Sequence, residues 1–460
     1  MSRHLKVVII AILALMVITA GVFWLSPHTV DANQNFHIAQ DARVTNEVHS
    51  VRTTSVPTAS PTAGTNQTSV PSNAQALAHS IVIVKASATL ATKHKYPVSP
   101  IVTTASKITP TPPTTHVSLS REAQAQGPYK VKGNAILGAD GKPYLFHGVG
   151  RDSLEYTCWG DGHFDARELS YMGSGTNTYA IRYWGANTVR IPLSEGIWLN
   201  GQSSQSCSGS QYQKLVKQTV DALTAMKLNV ILDLQWSDAG GQSLQAGGPW
   251  AMPDADSVTF WQQVATTYGS YSNVLFELFN EPHPQQWSCW NAACTITDTG
   301  YSDDCHCVKT LTYNSVGMQA LVNAVRGTGA TNLVIVAGMD WGYDLSQVDA
   351  YPITDSASNL VYDTHPYPYA EKQPNSWDNA FGTISKKYPV ISAESGEYDC
   401  GTGYMGQLLA YFDAHQISWI AWAWTVQDDP CGYPQLIQNY QGLPTPGMGQ
   451  LIYQCLRSYV

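Results

Sequence analysis

Charge is scarce in this chain of 460 residues, of which only 13% are Asp, Glu, Lys or Arg. Such a composition does not suit a nucleic-acid or phosphorylated ligand, and the sign of the balance argues the same way. Residues 1 to 127 hold nine Lys/Arg against four Asp/Glu, so a net charge of −9 for the whole leaves −14 on residues 128 to 460. The first part also has no cysteine, and between residues 33 and 127 it has only two aromatics, Phe36 and Tyr96. Stretches such as Thr53-Thr54-Ser55-Val56-Pro57 and Thr109-Pro110-Thr111-Pro112-Pro113 cannot bury enough apolar surface to offset the entropy of ordering them. Only Ile81-Val82-Ile83-Val84 interrupts that pattern. Residues 33–127 are therefore expected to be a disordered spacer rich in Ser, Thr, Pro and Ala.

Ahead of the spacer, Arg3, His4 and Lys6 precede an uncharged apolar run from Val7 to Leu25. The run is long for a cleaved signal core and about long enough to cross a bilayer, while Val30-Asp31-Ala32 offers a small-residue cleavage site. Residues 1–32 thus read as a signal peptide or a membrane anchor, and both readings stay open. Either one puts the bulk of the protein outside the cytoplasm, secreted or held at the outer face of the cell membrane.

What the first part lacks is concentrated in the second. Thirteen of the 14 Trp and all nine Cys lie after residue 128, and plentiful Trp and Tyr with few charges fit a neutral, ring-shaped ligand. In an exported chain, disulfides are the default for Cys158, Cys207, Cys289, Cys294, Cys305, Cys307, Cys400, Cys431 and Cys455. Cys400 with Cys431 and Cys158 with Cys207 are the pairs expected from their places after neighbouring strands, and Cys455 is the expected leftover. Zinc thiolates built on Cys289 to Cys307 with His283 and His306 are the alternative, disfavoured by the Cys-x-Cys spacing and the oxidising compartment.

From residue 128 short apolar runs alternate with amphipathic stretches, the pattern of parallel β/α units. Eight runs can be drawn, ending near Arg151, Pro192, Gln235, Glu281, Ala337, His365, Glu394 and Trp424. Helices are expected over Tyr212 to Leu228, Val258 to Tyr268, Thr312 to Val325, Trp377 to Tyr388 and Gly406 to His415. Residues 131–145, with Ala139-Asp140-Gly141 as a turn, read as a hairpin that plugs the bottom of the barrel. The expected fold is α/β, a (β/α)8 barrel over residues 128–460, which places every strand end on one face.

Two of those ends carry a glutamate: Asn280-Glu281-Pro282 on the fourth strand and Glu394-Ser395-Gly396 on the seventh. Cleaving a sugar acetal needs one carboxylic acid to protonate the leaving oxygen and one carboxylate to meet the developing oxocarbenium carbon. An Asn-Glu pair alone is a weak signal, since a Glu there can simply serve a helix N-terminus; the second site changes the weight.

On these residues the chain resembles glycoside hydrolase family 5, the cellulase-like retaining barrel glycosidases, over about residues 128 to 460. The resemblance implies Glu281 as acid/base and Glu394 as nucleophile. It implies that Arg190, in Val189-Arg190-Ile191-Pro192, pairs with Glu394 and keeps its pKa low, and that Asn280 hydrogen-bonds the sugar 2-hydroxyl. In His365-Pro366-Tyr367, Tyr367 would donate to the nucleophile and His365 would contact substrate or the acid/base. Trp422 and Trp424 are expected to share a strand face, with Trp424 as the floor of the subsite beside the scissile bond. One departure is visible. The family's third strand usually ends Asp-Leu-His-Trp, whereas this chain has Asp233-Leu234-Gln235-Trp236, and Gln235 cannot carry a proton or a charge.

The resemblance further implies a β-linked polysaccharide or oligosaccharide as substrate, with endo-β-1,4-glucanase leading and endo-β-mannanase as the enzyme alternative. A non-catalytic carbohydrate-binding barrel is the alternative of another class. No cofactor or metal is called for, no nucleic acid is expected as partner, the membrane enters only through an N-terminal anchor, and a monomer is expected. The long connection Pro284 to Lys309 reads as one wall of the cleft, and Glu195, Trp198, Trp250, Trp341 and Glu397 are further strand-end candidates for subsites.

Overall fold

The computed structural model describes residues 127–162, 181–243, 247–283, 286–302, 305–429 and 431–460. The expected signal or anchor and the spacer lie outside the described residues, except Gly127. Among the described residues no helix is long and apolar enough to cross a membrane.

Eight parallel strands close into a barrel: β3 (His147–Gly150), β4 (Thr188–Ser194), β5 (Asn229–Trp236), β6 (Val274–Glu277), β9 (Val334–Ala337), β10 (Leu360–Asp363), β11 (Val390–Ser395) and β12 (Ser418–Ala421), with β12 pairing back to β3. Such strands are buried on both faces, which is why β4 and β6 read as continuous buried runs. Helices pack outside. Gly209–Ala225 starts at a capping box of Ser208 and Gln211, and Ala255–Tyr268 at one of Asp254 and Ser257.

The bottom is closed by the N-terminal segment, as expected. β1 (Lys130–Lys132) and β2 (Ala135–Leu137) pair antiparallel around a turn at Gly133-Asn134, and β2 also bridges Pro143 beyond the anticipated turn. Tyr129, Tyr144 and Phe146 form a ring cluster with centroids 4.9–5.1 Å apart, packed with Ile231, Leu275, Ile335, Val361, Ile391 and Ile420. Because alternate residues of a strand share a face, these aliphatics are the lower layer of the barrel interior.

Several boundaries differ from the sequence reading. The fourth barrel strand stops at Glu277, before Asn280-Glu281, and the eighth at Ala421, before both tryptophans. The helix expected from Thr312 begins only at Met318, because Thr312 belongs to a hairpin of β7 (Cys294–Ser302) and β8 (Cys307–Ser315). Its cross-strand threonine pairs, Thr297 with Thr312 and Thr299 with Thr310, bond hydroxyl to hydroxyl at 2.7 and 2.8 Å.

Cys158 pairs with Cys207 and Cys400 with Cys431, as expected, and Cys455 is free. Cys289–Cys294 and Cys305–Cys307 also pair, which takes the four clustered cysteines away from the zinc reading.

Candidate active site

Two residues above the aliphatic layer, on the same strand faces, the interior changes character. Asp233 follows Ile231, Glu277 follows Leu275 and Asp363 follows Val361, all fully buried carboxylates in otherwise apolar strands. Arg190 rises from β4 among them. Its Nε and Nη2 donate to the two oxygens of Glu277, both at 2.7 Å; Nη2 also donates to Asn280 Oδ1 at 2.7 Å and lies 3.0 Å from Asp233. Nη1 donates to Glu394 Oε2 at 2.9 Å and to Gln235 Oε1 at 3.2 Å. One guanidinium thus touches three carboxylates and two amide oxygens, a task its planar fork suits and a lysine's point charge does not.

Glu394 turns into the mouth directly after inward-facing Ala393. A register irregularity between Ser392 and Ser395 on β11 accompanies this break in alternation. Its other oxygen, Oε1, accepts from the Tyr367 hydroxyl at 2.6 Å. Glu281 stands on the connection after β6 with its side chain 19% exposed, the more open of the pair against 5% for Glu394. Carboxylate oxygens of Glu281 and Glu394 and a ring nitrogen of His365 all lie within 4.8 Å of one another. His365 bonds Asp363 through Nε2 at 2.8 Å and Glu281 through Nδ1 at 3.3 Å.

The electrostatics follow from one arginine serving several acids. Burial pushes Glu277 up, but the Arg190 charge, its two N–H bonds and His365 bring it below the usual carboxylate range. Burial holds Asp233 well above its ordinary value against the pull of Arg190, and neither of its oxygens accepts a hydrogen bond. For Glu394 the expectation of a low pKa is corrected: burial raises it, Arg190, His365 and Tyr367 pull it back, and the net direction is upward. The physical reason is burial, helped by the Glu281 charge; together they outweigh an Arg190 shared with Asp233 and Glu277. Burial disfavours a charged His365, yet Asp363, Glu277 and Glu281 around it raise its pKa well above the ordinary value.

The cleft above the pair is lined by Asn280, Gln235, Trp236, Tyr301, Trp341, Tyr398, Trp422 and Tyr433, with Asp152 and Glu155 also lining it. Tyr301 belongs to β7, so the long connection does contribute a wall. Trp341 stacks on His283 with centroids 3.6 Å apart and planes at 3°. Trp422, not Trp424, meets the cleft. Its indole lies over Arg190 at 5.7 Å, donates to the Tyr433 hydroxyl at 2.7 Å and rests where a Cβ on Gly150 would stand 2.5 Å from the ring. Trp424 is fully buried against Trp184, because the chain has left the strand and period two no longer applies.

Of the further candidates, only Trp341 lines the cleft. Trp198 and Trp250 are 1% exposed core residues, and Glu397 accepts from the N–H groups of Tyr404 and Met405 in the first turn of helix Gly403–His415. Glu277, Asp233 and Asp363 were not singled out from the sequence. Their signal was there, an acid inside each of Leu232-Asp233-Leu234, Phe276-Glu277-Leu278 and Tyr362-Asp363-Thr364.

A closed parallel barrel with two carboxylates facing each other at the C-terminal ends of its strands has the layout of a barrel glycoside hydrolase. The model of the cellulase family, glycosyl hydrolase family 5, matches residues 166–428, and the chain belongs to that family. Curated relatives include an endoglucanase of Paenibacillus polymyxa, 25% identical over 345 residues covering 65% of this chain and 80% of the relative. Another, from Clostridium saccharobutylicum, is 23% identical over 305 residues, 65% of this chain, and the match spans only 57% of that relative. Among solved structures, a β-glucanase of Saccharophagus degradans superposes with a TM-score of 0.55 at 21% identity, covering 73% of this chain and 94% of that one. That likeness shows the barrel fold.

Proposed function

We propose that this chain hydrolyses a β-linked glucan internally, as an endo-β-1,4-glucanase, with retention of anomeric configuration. The observation that carries the reading is that one carboxylate oxygen of Glu281 and one of Glu394 come within 4.8 Å across the same mouth, a close approach that supports the separation of about 5–5.5 Å between carboxyl groups in retaining enzymes. The curated endoglucanases support the glucan.

In the proposed course Glu394, ionised beside Arg190 and Tyr367, attacks the anomeric carbon while Glu281 protonates the departing oxygen. Esterifying Glu394 removes a negative charge next to Glu281 and so eases the loss of its next proton, which lets Glu281 draw a proton from the attacking water. Asn280 has its Oδ1 committed to Arg190, leaving its Nδ2 to donate to a sugar hydroxyl. Trp422 supplies the flat apolar floor and Trp236 and Trp341 further platforms.

The test is a viscosity and reducing-sugar assay on soluble β-1,4-glucan and β-mannan, with the first-formed anomer followed by NMR. The β-anomer from glucan is expected. An α-anomer first product would refute retention, a loss of viscosity from mannan alone would transfer the reading to endo-β-mannanase, and no release from either would favour a non-catalytic barrel.

The proposal includes an exported protein, secreted or anchored, with residues 33–127 as a spacer. Four disulfides suit an oxidising compartment. Limited proteolysis should stop near residue 128 with specific activity retained; a fall of several degrees in melting temperature on cleavage would show the spacer packed on the barrel.

A further inference from the structure

Beside the cleft but outside the catalytic group lies a second set of buried acids. Glu195 opens the helix Glu195–Asn200 after β4, Asp238 follows the end of β5, and Asp254 caps the helix Ala255–Tyr268. They are 0%, 1% and 1% exposed, and one oxygen from each lies within 4.8 Å of the others. Oxygens around one calcium ion at roughly 2.4 Å stand no farther apart than about that.

Their present partners are neutral. Glu195 accepts from the Asp238 N–H at 2.7 Å and the Ser257 hydroxyl at 2.6 Å; Asp254 accepts from the N–H groups of Gly240 at 2.6 Å and Asp256 at 2.8 Å. Asp238 Oδ1 accepts from the Gly241 N–H at 2.8 Å, while its Oδ2, buried with the cluster, meets no N–H or hydroxyl donor, and the Glu195 carboxyl lies beside the Asp238 side chain. The charged groups felt by these acids are other acids, Asp256 included, and no Lys, Arg or His is among the leading influences on them. Three carboxylates so placed carry a high desolvation cost and mutual repulsion, which a dication would offset.

We propose that Glu195, Asp238 and Asp254 form a binding site for one hard divalent cation, Ca2+ in the first instance. All-oxygen, all-acid donors select hard ions over the softer Zn2+ or Cu2+. The site ties together the segment after β5, which directly follows Trp236 and carries Pro249 of the cleft lining, and the start of two helices. The ion is structural: it holds the cleft wall and takes no part in bond cleavage.

The test uses the full chain stripped with chelator and dialysed, titrated calorimetrically with CaCl2 and, separately, MnCl2, with melting curves at each concentration. One Ca2+ per chain and a melting temperature rising by several degrees at saturation are expected. Asp238→Asn, whose remaining oxygen still accepts from Gly241, should weaken binding at least about tenfold and abolish the thermal response, whereas Glu281→Gln should bind Ca2+ like the parent. No heat and no thermal shift with either ion would overturn the proposal and leave the acids sharing protons. Undiminished binding by Asp238→Asn, or loss of binding in Glu281→Gln, would place the ion elsewhere and overturn it equally. Should Asp238→Asn fail to fold, Asp254→Asn carries the same comparison.

Discussion

At the mouth of the barrel, Asp233, Glu277 and Glu394 surround one guanidinium, and Asp363 and Glu281 flank one imidazole; after β4 and β5, Glu195, Asp238 and Asp254 meet one another, backbone amides and a hydroxyl. Both groups bury acids beyond what an apolar interior tolerates unaided. The first brings its cations on its own side chains, fixed by covalent geometry, so its oxygens are held in place before substrate arrives. The second leaves its charge open to an outside partner. The lesson is that a buried acid reports function only when its counter-charge is known, because the same carboxylates can serve bond cleavage in one setting and ion capture in another.

The comparison breaks most visibly at the reacting pair. Glu281→Ala and Glu394→Ala should each lower turnover of a natural glycan on the order of 10^4-fold or more. Their rescue differs: azide should give a β-glycosyl azide with Glu281→Ala and activated aryl glycosides, but an α-glycosyl azide with Glu394→Ala. Exchanged products, read by NMR, would reverse the assigned roles.

Removing the cation should hurt the mouth cluster in a way the second cluster never shows. Arg190→Met leaves Glu277 and its neighbours buried without a partner and should cost about 3–5 kcal/mol in denaturant unfolding. The milder Arg190→Lys should move the acid limb of kcat/KM to higher pH. The sign follows because Arg190 pulls down a Glu394 already raised by burial, and a weaker cation lets it rise further. Tyr367→Phe should shift the limb the same way with about a tenfold loss of kcat, since one charge-assisted bond to the nucleophile disappears. A limb that stays in place in both variants would detach Glu394 from that titration.

In the second cluster the direction reverses. Metal-free Asp238→Asn should be about 1 kcal/mol more stable than the metal-free parent at and above neutral pH, because burial and Asp254 push the Asp238 carboxyl up to about 7 and the amide removes the costly charge it acquires there. A destabilised variant would mean that the acids are already neutralised. The smallest effect belongs to Gln235, whose side chain only accepts from Arg190 at 3.2 Å: Gln235→His should alter the pH profile or substrate affinity by less than about tenfold and should not be required for activity.

The barrel was legible in the sequence because parallel strands buried on both faces appear as short apolar runs; the plug was legible as a segment, but its strands pair around Gly133-Asn134, with a single Leu137–Pro143 bridge across the expected turn. Glu281, Glu394, Arg190, His365 and Tyr367 were legible because each sits in a short motif at a strand end, and the structure brings all five together. Strand alternation extended past Ala421, where the strand has ended, favours Trp424, whereas the structure sets Trp422 in the cleft. The hairpin Cys294–Ser315 was partly read as helix although its alternating threonines point to strand. The acid layer of Asp233, Glu277 and Asp363 was passed over because a lone acid in an apolar run has no local motif; only closing the barrel shows that the three converge.

Every disulfide of the described chain lies beyond the C-terminal ends of the strands: Cys158, Cys207, the Cys289 to Cys307 set, Cys400 and Cys431 all follow a barrel strand on the mouth side. Among the described residues the closed end is held without a disulfide, by packing and by hydrogen bonds of the plug to Asn229 and Asn359. Folding and maturation are thereby separated: a reducing environment would still allow the frame to assemble, while the loops that shape the cleft would await oxidation. Protein produced in a cytosol would then be soluble and barrel-shaped yet poor at binding glycan, and its repair would need an oxidant rather than a chaperone.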